Sequence, residues 1–179
     1  MKPNPRGLCV LAPIADGRAD ELRRHLRELP TGARSPLIRV HGTHYARWTI
    51  VHLEDTDGNP LPRSERPLFL LFSSEFDGEL EPYVARLCRR LGPDGHAIWR
   101  HCEGYPGTDD DALARFLLDH NVRPGYSVVA YPDAGVDDVR AAFALRERLN
   151  DFLVRTRTLD SPALRHAWLQ RFRGEERRP

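Results

Sequence analysis

Lysine is almost absent from this chain: Lys2 is the only one among 27 basic residues, and the rest are arginines. No interior lysine is therefore available for Schiff-base chemistry. Any basic site must use guanidinium, which stays charged and grips carboxylate or phosphate bidentately. Net charge is lacking too: 27 basic against 26 acidic residues leave a formal charge of +1. No whole-molecule field therefore recruits nucleic acid or an anionic membrane. Cysteine is scarce, with Cys9, Cys88 and Cys102 far apart and no Cys-x-x-Cys among them. That excludes a disulfide framework and a zinc ribbon, and it points to reduced thiols. Long apolar runs are missing. The stretch 8–14 is too short to span a membrane and lacks a cleavage pattern, so a cytoplasmic protein is expected.

Chemical signatures are missing as well. There is no phosphate-binding Gly-x-x-x-x-Gly-Lys, no Gly-x-Gly-x-x-Gly and no Gly-x-Ser-x-Gly elbow. Neither His-x-x-x-His, His-Glu-x-x-His nor a calcium-loop pattern occurs, so no metal site is expected.

What is present is globular patterning. Hydrophobic residues make up 40% of the 179 and charged residues 30%. A chain of this length buries roughly 70% of its unfolded surface without staples. The run LCVLAPI over 8–14 reads as a buried strand. In ADELRRHLREL, Leu22, Leu26 and Leu29 form the stripe of an amphipathic helix, stopped by Pro30 and Gly32. A strand over 43–54 follows, rich in β-branched and aromatic residues. Its alternation puts His44, Ala46, Trp48, Ile50 and His52 on one face and Arg47 on the other. The return strand over 67–74 is apolar on both faces, so both must be covered. Helices are expected over 79–91, 109–121 and 136–154, and a last strand over 125–132, beside the first. HAIWRHCEGYPG reads as a loop.

The element order opens as β-α-β-β-α-β, that of a ferredoxin-like α+β fold. The expected domains are 1–154, with a C-terminal helical extension or tail over 155–179. By this order and patterning, from Gly7 to Val154, the chain resembles the dimeric α+β barrel superfamily. THYARW, LLFSSEFDG and HCEGYPG are similar to strings in a set of bacterial and fungal proteins without an assigned activity. The superfamily includes cofactor-free monooxygenases, isomerases, haem-degrading enzymes, chlorite dismutases and dye-decolourising peroxidases. The resemblance implies a ligand pocket between the sheet and its helices or a partner sheet; a homodimer is the expected cover of the second sheet face, and the C-terminal helices are the alternative. Haem is a possible cofactor on this resemblance, although no haem motif of the family is matched; His44 or His101 would be the axial ligand in that alternative.

Three segments carry residues suited to chemistry. The strand at 43–54 offers His44, Arg47, Trp48 and His52; histidine titrates near neutral pH, and arginine clamps carboxylates. SSEFDG, from Ser73 to Gly78, follows a strong strand and offers Asp77 as a base or as a partner that orients histidine. HCEGYPG offers His101, Cys102, Glu103 and Tyr105 within a few positions. The expected acid-base residues are His44, Asp77 and His101, converging on one pocket. Arg47, Trp48, Ser73, Cys102 and Tyr105 are the expected substrate contacts. The expected function is a small-molecule enzyme. A haem oxidoreductase and a non-catalytic binding or scaffolding module are the alternatives, and the module leads if the three residues do not meet.

Overall fold

The computed structural model describes residues 5–52, 67–123, 125 and 128–173. The chain divides into two compact units, Met1–Val136 and Asp137–Pro179.

The first unit is α+β. Strands β1 (Pro5–Pro13), β2 (Thr43–His52) and β3 (Leu68–Asp77) form an antiparallel sheet in the order β1-β3-β2. Between β1 and β2 lies helix α1 (Ala19–Glu28). After β3 come α2 (Leu80–Leu91), α3 (Pro93–Trp99) and α4 (Asp110–Asp119). Period-two patterning sends Leu8, Val10 and Ala12 of β1 and Leu70, Phe72 and Phe76 of β3 inward. They pack with Leu22 of α1, Tyr83, Val84 and Leu87 of α2, Ile98 and Trp99 of α3, and Leu113 and Leu117 of α4. The Phe76 and Tyr83 rings stack at 3.8 Å. The opposite face carries alternate residues, among them Leu11, Leu71, Thr49, Arg47 and Ser73.

Three sequence expectations are corrected here. HAIWRHCEGYPG is not all loop: its first residues belong to α3. Gly92, at a φ of 51°, ends α2, and Pro93 opens α3 directly after it. Second, β3 runs three residues past the expected Ser74, to Asp77. Asp77 therefore closes a strand instead of sitting in a loop. Third, among the described residues of 125–132 there is no strand; Tyr126 and Ser127 lie outside the description. The free edge of β1 is met by the end of α4 instead. Leu11 N–H donates to His120 O at 3.0 Å, and Val122 N–H donates to Cys9 O at 2.7 Å. Val128 and Tyr131 are more than 70% exposed.

The second unit contains α5, which spans Val136–Thr156, and α6 (Ser161–Phe172). The expected boundary at 154/155 falls in the last turn of α5. Asp160 caps α6 by accepting from Ala163 N–H at 3.0 Å. Phe152, Trp168 and Phe172 cluster with centroids 4.4–5.5 Å apart. No helix among the described residues is long and apolar enough to cross a membrane.

Candidate functional site

Two of the three expected acid-base residues meet. His44 Nε2–H donates to Asp77 Oδ1 at 2.7 Å. A register shift between Thr43 and Tyr45 makes His44 the extra residue of a β-bulge. The other carboxylate oxygen, Oδ2, accepts from the Val136 N–H at 2.8 Å. Asp77 is thus held on both oxygens.

His101 is elsewhere. Asp77 lies opposite Pro5 at one end of β1, while the His101 carbonyl binds Ala15 N–H beyond the other end. At about 3.3 Å per residue, these ends are roughly 30 Å apart. The expected convergence of His44, Asp77 and His101 does not occur. The sheet is longer than the short return strand implied, and it separates what the loops were expected to join.

His101 is almost fully buried, and its Nδ1 makes no hydrogen bond. Glu21 Oε2 is 3.8 Å away, too far for one. Burial pushes the His101 pKa down, with Glu21 opposing in part. Beside it is a cleft of about 360 Å³ lined by Glu21, Arg24, His25, Glu28, Ala97, Arg100 and His101.

The other expected contacts scatter. Trp48 packs on Phe72 in the core at 5.1 Å. Arg47 Nε donates to Ser73 Oγ at 3.2 Å on the opposite sheet face. Cys102 is buried beside Ile14, and burial raises its thiol pKa to about 12, which removes it as a nucleophile. Neither expected haem ligand fits that group. His44 commits Nε2 to Asp77, and the cleft at His101 is walled by charged groups where a haem face needs apolar ones.

Tyr105, of the expected contacts, lines an organised cleft. This cleft holds about 650 Å³ and is lined by Gly92, Pro93, His96, Ala97, Arg100, Tyr105, Thr108 and Asp110. His96 and Asp110 were missed by the sequence reading. A carboxylate can only accept, so His96 Nε2–H donates to Asp110 Oδ1, at 3.1 Å. That fixes the tautomer and leaves Nδ1 as the acceptor for the Tyr105 hydroxyl, at 2.8 Å. Burial raises the Tyr105 pKa, and Arg100 pulls it back in part. The sequence did hold a signal for the missed pair. Gly-Pro directly after an apolar helix marks one helix ending and another beginning, with His96 on its first turn.

Among the described residues no three histidine, cysteine or carboxylate groups are placed to hold a metal ion. No family model matches the chain, and comparison with curated proteins and with solved structures finds no match.

Proposed function

We propose that the protein is a small-molecule enzyme that moves protons through the Asp110–His96–Tyr105 relay. The separation of His101 from His44 and Asp77 by itself favours a binding module, and this second, hydrogen-bonded triad is what restores the enzyme reading. The observation that carries this reading is a histidine bonded on both ring nitrogens, with a phenol at the cleft end of the chain. When the Tyr105 oxygen takes a proton from substrate, its own proton passes to His96 Nδ1, and Asp110 stabilises the imidazolium. The raised phenol pKa makes free phenolate costly, which is why the relay matters. His96 bonds a phenol and a carboxylate and no serine, threonine or cysteine nucleophile, which favours proton abstraction beside a carbonyl over acyl transfer.

The test is exchange of acidic C–H protons in D2O, followed by NMR, over small ketones, aldehydes and 2-oxo acids. Wild type should catalyse exchange, and His96→Gln should lower the rate about 10²–10⁴-fold. Equal rates for the two proteins would overturn the reading in favour of a non-catalytic binding module.

The fold supports a ferredoxin-like plan related to the dimeric α+β barrels. In support, β3 lies between β1 and β2, and α1 connects the outer pair. The antiparallel bridge of Val10 with Asn121 occupies the place of a fourth strand. A second copy of the chain is the proposed cover for the sheet face bearing Leu11 and Leu71. Three cysteines outside any disulfide support a reducing, cytoplasmic setting.

A further inference from the structure

We propose that the substrate of this cleft is a small monocarboxylate with a neutral, apolar body, and that Arg100 selects it by its carboxylate. This rests on the relay reading and deepens it.

The argument is a charge count. Of the residues lining the cleft only Arg100 and Asp110 carry formal charge. Asp110 is engaged with His96, so its negative charge is directed at the imidazole. Among the described residues the carboxylate paired with Arg100 is that of Glu21, whose Oε1 is 3.8 Å from the guanidinium, beyond hydrogen-bond range. A single guanidinium fork matches one carboxylate in charge and in geometry. A phosphate dianion would leave one charge uncompensated beside Asp110.

The remaining walls set the body. Gly92, Pro93 and Ala97 offer carbon surface and no side-chain hydrogen-bonding group. An apolar body buries against them, while a second charge would find no partner. Arg100 stands one helical turn beyond His96, near enough to Tyr105 to lower its pKa. A carboxylate held there places the adjoining carbons beside the phenol oxygen. The Thr108 hydroxyl, also in the lining, can serve as a second, neutral donor. Glu21 competes for the same guanidinium, so removing its charge should tighten binding.

The test uses three probes of one shape, followed by amide chemical shifts in the full chain. They are phenylacetate, benzylphosphonate (the dianion) and 2-phenylethanol (the neutral analogue). Phenylacetate should shift the Gly92, Ala97 and Thr108 amides and bind about tenfold more tightly than 2-phenylethanol. Benzylphosphonate should not exceed phenylacetate. Arg100→Gln should erase the preference for phenylacetate, and Glu21→Gln should strengthen it. Arg100 is more than half exposed, so its replacement leaves the core intact. Equal affinity for phenylacetate and 2-phenylethanol, tighter binding of benzylphosphonate, or no shift with phenylacetate would each overturn the inference.

Its failure is separable from failure of the relay. Proton exchange confined to neutral ketones, and unchanged in Arg100→Gln, would leave the relay standing and remove the carboxylate. Phenylacetate selectivity that survives in Tyr105→Phe, without proton exchange by wild type, would keep the carboxylate site and remove the relay.

Discussion

His96 and His101 are close in sequence and both are buried, yet their surroundings differ in kind. His96 is bonded on both ring nitrogens, to Tyr105 and to Asp110. His101 keeps Nδ1 without a partner, and its nearest carboxylate stays out of hydrogen-bond range. The first is held in one orientation by a partner on each nitrogen. The second is a buried imidazole whose charged form is suppressed by desolvation. Burial of a histidine is therefore no guide to its use; the partners on its two nitrogens are.

The largest contrast should come from deleting each ring. His96→Leu leaves the Asp110 carboxylate and the Tyr105 hydroxyl without their shared partner, at a cost of about 2 kcal/mol in urea unfolding. His101→Leu removes an unpaired buried nitrogen while keeping apolar bulk. It should be neutral or stabilise by about 1 kcal/mol. If both variants lose stability equally, the comparison is broken.

A pH series sharpens it. The folded-state pKa of His101 lies below its ordinary value, so the unfolded chain binds this proton first as pH falls. Stability from this residue is intact above about pH 6.5 and declines below it. The difference between wild-type and His101→Leu unfolding curves should reproduce that decline. A flat difference between pH 7 and pH 5 would contradict it.

The smallest effect belongs to the pair at the other end of the sheet. His44 and Asp77 are each about a quarter exposed, and water competes for their bond. His44→Gln should cost less than about 1 kcal/mol and leave proton exchange unchanged. A large loss of exchange would move the active site from the cleft to the β-bulge.

Much of the fold was legible beforehand. Leu22 with its helical stripe, the buried apolar run of β1 and the acidic first turn of α4 follow from local rules. The pairing of His44 with Asp77 was also foreseen, from the expected antiparallel neighbours. Other features were beyond local patterning. An alternation rule cannot reveal the bulge that turns His44, because a bulge is a mismatch between two strands. The expected strand at 125–132 looked sound from its β-branched residues, but α4 had already delivered His120–Val122 to the edge of β1. An edge has one row of donors and acceptors, and the first segment to reach it uses them.

The sequence by itself determined the apolar stripes of α1 and α2 and the apolar character of β1 and β3. Those are local properties, set by a strand's repeat of two and a helix's repeat of 3.6. Only the tertiary structure decided which histidine became wired. Tyr105 and Asp110 stand nine and fourteen positions from His96, beyond the reach of one helical turn. Their approach depends on α3 and α4 packing over one sheet face. Hydrogen bonds work only within about 3 Å, so a site of this kind exists only after that packing is complete.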